Sequence, residues 1–284
     1  MLPDSKQGDE SMIILIKGAG DLATGIAHRL KVCGFDVIMT EIAMPTTVRR
    51  TVAFSQAVFD GIAEVEGVKG ILVSDVNGAI KVIEEGNIPI VIDSKAELIK
   101  ELKPHIVVDS IISKVNCGNT TINDAPIVIA VGPGFEAGID CHCVIETQRG
   151  HYLGRTIYKG SAIANTGIPG NIGGYTVERI IRSSGDGFIK PMVEIGEHVE
   201  KGQVVARVVN SLECDDSSEL VFAEISGIVR GMLQEGVKVH KGMKSGDIDP
   251  RCEKKHCFTI SDKARSIGGG VLEAVLTLTK QLSK

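Results

Sequence analysis

Short apolar runs alternate with stretches of helical spacing along the first 110 residues, and this alternation limits the folds open to the chain. Continuous β-branched runs are typical of strands buried on both faces of a sheet, and apolar residues three and four apart are typical of the helices that cover it. The pattern therefore predicts an α/β fold with a parallel sheet. The predicted strands are residues 12–16, 37–39, 70–74, 88–92 and 106–108, and the predicted helices are 21–33, 76–85 and 95–102.

The first strand and helix predict a Rossmann-like domain over residues 12–115. Between them lies GAGDLA, in which Gly18, Gly20 and Ala23 have the G-x-G-x-x-A spacing. In that motif the glycines allow a tight turn and close approach of a pyrophosphate, and the small third residue allows close helix packing. Glu41, at the end of the next strand, is placed to hold ribose hydroxyls.

The same turn also has a purely structural interpretation. Asp21 places a carboxylate where a phosphate would sit. Close packing of a strand against a helix can by itself require small residues. Nucleotide binding and structural packing therefore both remain open for this motif.

A glycine-rich α/β region, which we place at residues 116–182, follows the first domain. The apolar run 127–131 predicts another strand and leads into a loop with Gly132, Gly134 and Gly138. Backbone amides of such a loop can form a nest for an anion.

The strand predicted at residues 141–146 carries the candidate catalytic residues Cys141, His142 and Asp140. Alternation along a strand predicts that Cys141 and Cys143 share one face, with Asp140 and His142 on the other. A thiolate or metal site and a pair of buried structural thiols both fit this pattern. Because two ligands do not complete a zinc site, we predict no metal.

A second group of metal-ligating side chain types is CEKKHC, with Cys252, His256 and Cys257. In a helix, Cys252 and His256 would share a face. The two intervening lysines disfavour a cation and would instead lower the thiol pKa. A redox-sensitive or persulfide-carrying cysteine and an ordinary surface thiol both remain open.

Residues 183–250 contain an internal repeat. GFIKPMVEIGEHVEKG, from Gly187, and GIVRGMLQEGVKVHKG, from Gly227, align at a constant offset of 40 residues. Two such halves resemble the small β hammerhead of the biotinyl and lipoyl proteins, whose carrier lysine lies in the hairpin between the halves. Residues 206–225 contain no lysine. We therefore expect no biotin or lipoate attachment, and a docking or structural module instead.

Opposite charges are concentrated in KSGDIDPR, which holds Lys244, Asp247, Asp249 and Arg251. A salt-bridged hinge and a loop of a ligand site are both compatible with this segment. In the C-terminal segment, residues 251–284, three glycines precede an apolar helix predicted from Val271. Those glycines predict either an ordinary entry to that helix or an anion-binding turn.

Composition excludes several classes of function. The net charge of −5, the lack of a long lysine or arginine cluster, the absence of tryptophan and the presence of only three tyrosines argue against a nucleic-acid surface. Nucleophile elbow, Walker A, HExxH and EF-hand motifs are absent from the sequence, which weakens hydrolase and NTPase interpretations.

The same composition points to the cytoplasm. Apolar runs fall far short of the roughly 18 residues that cross a bilayer, and the polar, acidic residues 1–11 predict a disordered tail. Seven cysteines indicate reduced thiols and hence a cytoplasmic protein. A homo-oligomer is expected on general grounds.

Six segments together resemble the YqeB family, the selenium-dependent molybdenum hydroxylase system proteins. The segments are GAGDLATGIAHRL, VIMTEIAMPTTVRRTVAFSQAVFDG, IAVGPGFEAGIDCHCVIETQRGHYLGR, NTGIPG, KSGDIDPR and SDKARSIGGGVLEAVL. The family is similar in its nucleotide-fold portion to xanthine dehydrogenase accessory proteins. Cys143 departs from the small residue expected in the family form DCHAVIET, and we assign it no role.

This resemblance implies a bacterial accessory factor, more a maturation factor than a catalyst, for selenium-dependent molybdenum hydroxylases. It implies that molybdenum cofactor or a related nucleotide binds between the N-terminal domain and the glycine-rich region, with the hydroxylase as partner. The glycine turn, the amides of residues 132–138 and the cations Arg49, Arg50 and Lys244 would then hold the anionic ligand.

Two alternatives come from other functional classes. An NAD(P)-dependent oxidoreductase would explain Glu41 directly and would use His142 for proton transfer. A protein-docking scaffold would use the repeat module and the charged KSGDIDPR segment to bind a partner. Binding of NAD or NADP by the purified protein would favour the oxidoreductase. Binding of a partner protein in the absence of any small ligand would favour the scaffold.

Overall fold

The computed structural model describes residues 12–167, 170–213 and 218–282. Residues 13–157 form a nine-stranded sheet with its helices, and residues 180–249 form two four-stranded sheets. The C-terminal helix then returns to pack on the first part. The predicted disordered tail lies outside the described residues.

The large sheet is parallel in its centre and antiparallel at both edges. Its strands are β1 (Ile13–Lys17), β2 (Asp36–Glu41), β3 (Ile62–Val65), β4 (Val68–Val73), β5 (Ile88–Ile92), β6 (Ile106–Asp109), β7 (Ile127–Val131), β8 (Cys143–Ile145) and β9 (Thr156–Ile157). Their spatial order is β3-β4-β5-β2-β1-β6-β7-β8-β9. The hairpins β3–β4 and β8–β9 are antiparallel, and the six other neighbouring pairs are parallel.

The helices cover this sheet and lie near the predicted positions. They are α1 (Asp21–Val32), α2 (Ala57–Asp60), α3 (Val76–Glu84), α4 (Leu98–Leu102) and α5 (Asp262–Leu282), with short 3-10 helices at Arg50–Val52, Phe54–Gln56 and Lys254–Cys257. Buried side chains of β1, α1 and α5 share one apolar core. Because burial contributes roughly 25 cal/mol per Å² of apolar surface, this core is the main stabilising contact of the first part.

The predicted fold class, a Rossmann-like parallel sheet domain with a β hammerhead, was wrong. The sheet is mixed, it continues through β7, β8 and β9, and the chain adds two antiparallel sheets. Apolar runs locate buried strands but do not specify their direction. The strand positions themselves were confirmed, since β5 and β7 have the predicted bounds.

The second part is built from two interlocked halves. Its strands are β10 (Ile180–Arg182), β11 (Gly187–Pro191), β12 (His198–Val199), β13 (Val204–Val209), β14 (Ser218–Phe222), β15 (Gly227–Met232), β16 (Lys238–Val239) and β17 (Lys244–Asp249). The sheet orders are β10-β17-β15-β12 and β14-β13-β11-β16. Strands β11, β12 and β13 begin 40 residues before β15, β16 and β17. Each half therefore contributes strands to both sheets.

Equivalent glycines begin the two repeats for the same steric reason. Gly187 and Gly227 both have positive φ, at 147° and 155°. A Cβ on Gly187 would lie 2.4 Å from the Val209 carbonyl oxygen, and one on Gly227 would lie 2.7 Å from that of Asp249. The backbone at both positions therefore requires glycine.

The chain after β2 connects the two parts. The Met232 amide donates to the Val48 carbonyl at 2.7 Å, and Arg50 Nε donates to the Met232 carbonyl at 3.3 Å. The buried Arg49 donates to the carbonyls of His256 and Thr259 at 3.0 and 3.2 Å. These bonds fix the second part against the edge of the large sheet.

The C-terminal helix differs from its prediction. It begins at Asp262, nine residues before Val271, so Gly268, Gly269 and Gly270 all lie inside the helix. A Cβ on Gly268 would lie 2.9 Å from the Gly25 carbonyl oxygen of α1. The glycines therefore allow close packing of α5, and the predicted turn before the helix does not form. Of the described helices, none has the length and apolar character needed to cross a membrane.

Candidate functional site

A first cavity of about 440 Å³ lies at the carboxyl ends of the central parallel strands. Its lining includes Lys17 at the end of β1 and Gly18 after it, Glu41 at the end of β2, and Ser110 after β6. The chain leaves β1 toward β2 on one side, whereas β6 lies on the other side of β1. In open α/β sheets such a reversal of strand order opens a crevice that binds ligands.

The glycine turn forms one wall of the first cavity. Gly18 has φ of 91°, and a Cβ there would lie 3.0 Å from the Ser110 carbonyl oxygen. Gly20 precedes α1 without capping it through a side chain, so amides of the first turn face the cavity rim. The Asp21 carboxylate pairs with Arg49 at 3.2 Å. This ion pair offsets the negative charge that seemed to oppose anion binding.

Glu41 supports the glycine turn as well as lining the cavity. Its Oε2 accepts the Ala19 amide at 2.9 Å, and its Oε1 accepts the Ile42 amide at 2.8 Å. Burial raises the pKa of Glu41, and the two backbone bonds oppose that rise. A carboxylate has about four acceptor positions, so Glu41 retains capacity for a ligand hydroxyl.

Behind the turn lies a buried polar network that the sequence analysis missed. Lys17, 4% exposed, donates to Thr120 Oγ1 at 2.8 Å and pairs with Asp124 at 2.9 Å. The Thr120 hydroxyl donates to Asp109 at 2.6 Å, and burial raises the pKa of Asp109. Lys17 and Asp109 are the last residues of two otherwise apolar strands, and a charged residue in that position was the sequence signal that could have revealed the network.

A second cavity of about 620 Å³ adjoins the first and is strongly basic. The two share Asp21, Leu22, Arg49, Ile112 and Lys244. Its described cationic lining residues are Arg49, Lys114, Arg149, Arg179, Arg230, Lys244 and Lys263, against the carboxylates of Asp21 and Asp247. In a chain of net charge −5, this concentration of cations indicates a site for an anion.

The first six residues of KSGDIDPR form strand β17, so the predicted hinge or loop was wrong, and two of them line the second cavity. Asp247 is buried and accepts a hydrogen bond from Arg179. Asp249 accepts from Arg251 Nε at 2.9 Å, outside the cavity lining. Of this segment, Lys244 and Asp247 therefore face the second cavity.

Lys244 occupies the junction of the two cavities. Although Lys244 is exposed to solvent, desolvation by the surrounding protein lowers its pKa, and the nearby Asp247 and Asp21 carboxylates oppose that effect. Burial likewise lowers the pKa of Lys263, where Arg149 adds to the effect. Both amines are therefore easier to deprotonate than a lysine on an open surface.

Several predicted ligand-binding residues lie away from both cavities. Arg50 bonds to the Met232 carbonyl. Gly132 and Gly138 donate their amides to carbonyls of residues 145 and 141, at 2.9 and 2.7 Å. A Cβ on Gly134 would lie 2.8 Å from the backbone of Val115, so this glycine permits close packing. The predicted residues that the fold does bring together are Gly18, Gly20, Asp21, Ala23, Glu41, Arg49, Lys244 and Asp247.

The candidate catalytic residues lie on the far side of the sheet. His142 lines a shallow third cavity, and its Nδ1 accepts the Val128 amide at 3.0 Å. Asp140 accepts the Glu136 amide at 2.8 Å. The prediction that Cys141 and Cys143 share one face of a strand was wrong, because the two side chains pack in different apolar clusters. Strand β8 begins only at Cys143, so strict alternation does not extend back to Cys141.

The CEKKHC group does not form the predicted helical pair. Cys252 has φ of 57°, and the 3-10 helix begins two residues later. Cys252 is exposed, whereas Cys257 is buried. Within the described ranges, no group of three or more His, Cys, Asp or Glu is arranged to hold a metal ion.

Thiol reactivity is expected to separate the cysteines into two groups. Burial raises the pKa of Cys141 to about 12 and that of Cys143 to about 11, so both stay protonated at pH 8. Cys117 is exposed and lines the first cavity. Brief alkylation at pH 8 followed by peptide mass spectrometry should label the exposed Cys33, Cys117 and Cys252 before Cys141 and Cys143. Equal labelling of Cys141 in the folded protein would contradict this burial, and labelling in urea provides the control.

Comparison with known proteins gives one relative by sequence and a set of distant structural alignments. The "Uncharacterized protein YqeB" of Escherichia coli (strain K12) is 48% identical over 281 residues, which cover 99% of this chain and 50% of that protein. No family model matches the chain.

The solved structures superpose poorly. An ectoine utilization protein EutE (DoeB) from Ruegeria pomeroyi is 13% identical with a TM-score of 0.27, over 84% of this chain and 85% of that one. A succinylglutamate desuccinylase from Silicibacter sp. TM1040 is 11% identical with a TM-score of 0.26, over 85% of each chain. TM-scores this low transfer neither fold nor activity to this chain.

These comparisons correct the predicted function. The predicted role, a non-catalytic maturation factor for selenium-dependent molybdenum hydroxylases, was wrong: none of the proteins named above is titled as such a factor. The relative's name links it to neither molybdenum nor selenium.

The sequence match itself is strong, although the chain spans about half the length of the curated relative that it matches. The similarity, which extends over 99% of this chain, supports the predicted resemblance to the YqeB family.

Proposed function

We propose that the chain is an enzyme that binds a nucleotide in the first cavity. The position of that cavity, at the reversal of strand order between β1 and β6, carries the proposal. Ligands of open α/β sheets bind outside the carboxyl ends of the strands at such a point. A volume of about 440 Å³ is also within the range of small-molecule sites.

The lining of the first cavity matches the three parts of a nucleotide. The exposed side chains of Ile42 and Ile111 offer apolar surface to a base. Glu41 has acceptor capacity for sugar hydroxyls. Amides at the start of α1, after Gly20, suit a phosphate because the helix dipole adds positive potential there.

A group able to transfer protons lies beside the proposed ligand. The Lys244 ammonium forms no hydrogen bond or ion pair with any residue that the structure describes, lines both cavities and is exposed to solvent, and desolvation by the surrounding protein lowers its pKa. Titratable groups with perturbed pKa values cluster at catalytic sites. This feature favours an enzyme, and the reduced cysteines of the chain favour a cytoplasmic one.

Replacing Gly20 by valine is expected to weaken nucleotide binding at least about tenfold, or about 1.4 kcal/mol. Its backbone φ of −66° is open to any residue, and the new Cβ would lie 3.5 Å from Thr47 Oγ1. The added methyl groups would fill the phosphate position without unfolding the turn. Titration calorimetry with AMP, ATP, NAD and NADP measures the effect, and chromatography after incubation detects turnover.

Gly20→Ala is the matched control, since it adds a Cβ without branches and should lose less affinity. The proposal fails if none of the four nucleotides binds the wild-type chain. It also fails if Gly20→Val binds them as tightly as the wild type does.

A further inference from the structure

Arg230 is a buried cation whose side chain donates no hydrogen bond to any residue in the described part of the chain. Its side chain, on β15, is 9% exposed and lines the second cavity. Its Nε is buried without a partner, and the guanidinium donates no hydrogen bond to any described residue. A guanidinium carries five N–H donors, and leaving such donors unpaired away from water is costly.

The nearest carboxylates are already held by other arginines. Arg230 lies 3.9 Å from Asp247 and 3.9 Å from Asp249, beyond hydrogen-bond distance. Asp247 is bonded to Arg179, and Asp249 is bonded to Arg251 at 2.6 Å. Burial and the charge of Arg49 lower the pKa of Arg230, which reflects how little the protein compensates this cation.

Other cations surround the same space. Lys263 and Lys244 line it, as does Arg149 from the loop before β9. Within the described residues the Lys263 ammonium has no hydrogen bond or ion pair. Neutral donors such as Gln148 and Thr147 complete the wall. The second cavity therefore offers convergent positive charge without enough carboxylates to neutralise it.

We propose that the second cavity is an oligophosphate subsite in which Arg230 and Lys263 bind the phosphate chain of the ligand. The inference rests on the proposed nucleotide site, because the chain of phosphates would enter from the first cavity past Arg49 and Lys244, which line both cavities. Planar guanidinium groups bind phosphate oxygens through paired hydrogen bonds, and a desolvated cavity strengthens each of them.

The test uses inorganic triphosphate as the probe, titrated into the full chain by calorimetry without added metal. Arg230→Met is expected to weaken binding at least about tenfold. The ligand-free variant should unfold at the same or a higher temperature than the wild type, because Asp247 and Asp249 keep their own arginines. Lost binding without lost stability separates a ligand-binding arginine from a structural one.

Lys263→Gln provides a second variant that changes a partly exposed side chain, and Lys159→Gln is the matched control. Lys159 is exposed and lines neither cavity. Weaker triphosphate binding in Lys263→Gln with wild-type binding in Lys159→Gln supports the subsite. Equal binding by the wild type, Arg230→Met and Lys263→Gln overturns it.

Citrate distinguishes a phosphate site from a general site for carboxylates. Tighter binding of triphosphate than of citrate supports the assignment, and equal or tighter binding of citrate overturns it. AMP tests the two proposals separately. If AMP binding depends on Gly20 while triphosphate ignores Arg230, the subsite fails and the nucleotide site stands. If triphosphate depends on Arg230 while no nucleotide binds, the proposed function fails and the anion site stands.

Discussion

Replacing Gly270 by alanine is expected to destabilise the protein by about 3 kcal/mol, the upper range for overpacking a core. A Cβ at this position of α5 would lie 2.1 Å from the Gly154 carbonyl oxygen. Because that oxygen belongs to the backbone, it cannot rotate away as a side chain would. Helix α5 would have to move off the loop that precedes β9.

The neighbouring Gly269 provides a matched control within the same helix. A Cβ there would meet nothing within 4 Å. Alanine at Gly269 is expected to stabilise the helix by roughly 0.5–1 kcal/mol, since glycine loses more backbone entropy on folding. Urea denaturation of both variants measures the contrast. Equal shifts of the two midpoints would show that α5 does not pack as described.

Asp247→Asn is expected to destabilise the protein by about 3–5 kcal/mol, as measured when one partner of a buried ion pair is removed. Asp247 is 4% exposed, bonds Arg179 and lies near Arg230. The amide removes the negative charge between two buried guanidiniums, so that Arg179 loses its partner and Arg230 keeps only Asp249, 3.9 Å away. Sulfate or triphosphate in the buffer should restore part of the lost stability by supplying that charge.

Asp262→Asn is the control, because it changes the same side chain in an exposed ion pair. Asp262 pairs with Arg149 at 2.5 Å, and that bond lowers its pKa to about 2. The Asp262 side chain is 71% exposed, so solvent screens the pair and the expected loss is below about 1 kcal/mol. Thermal unfolding of both variants compares the two sites. A loss for Asp247→Asn no greater than for Asp262→Asn would contradict the buried network.

The sequence predicted local structure better than the way in which strands assemble. The run Ile88–Ile92 is apolar, its first four residues are buried, and its bounds were predicted without error. The hairpin of β3 and β4 was missed, since β3 has only four residues and its exposed positions are the apolar Ile62 and the charged Glu64. Pattern within one segment carries no information about which distant segment becomes its neighbour.

The site was predicted in part for the same reason. Gly18, Gly20 and Glu41 belong to a local motif, and all three line the first cavity. Arg230 and Lys263 belong to no motif that includes the glycine turn. They line the second cavity only after the second part has folded against the sheet. Charged side chains that are far apart in the sequence come close together only through tertiary packing. Spacing along the chain gives no information about that packing.

The bonds from the segment after β2 to β15 and to Thr259 have a consequence for how the chain matures. The two cavities share a wall that includes Lys244, which is supplied by a part of the chain synthesised long after the glycine turn. A nascent chain therefore contains the glycine turn well before it contains the residues that complete the lining of the two cavities. The proposed nucleotide site therefore predicts that immobilised nucleotide retains fully folded molecules and releases those in which residues 180–249 have not docked on the large sheet.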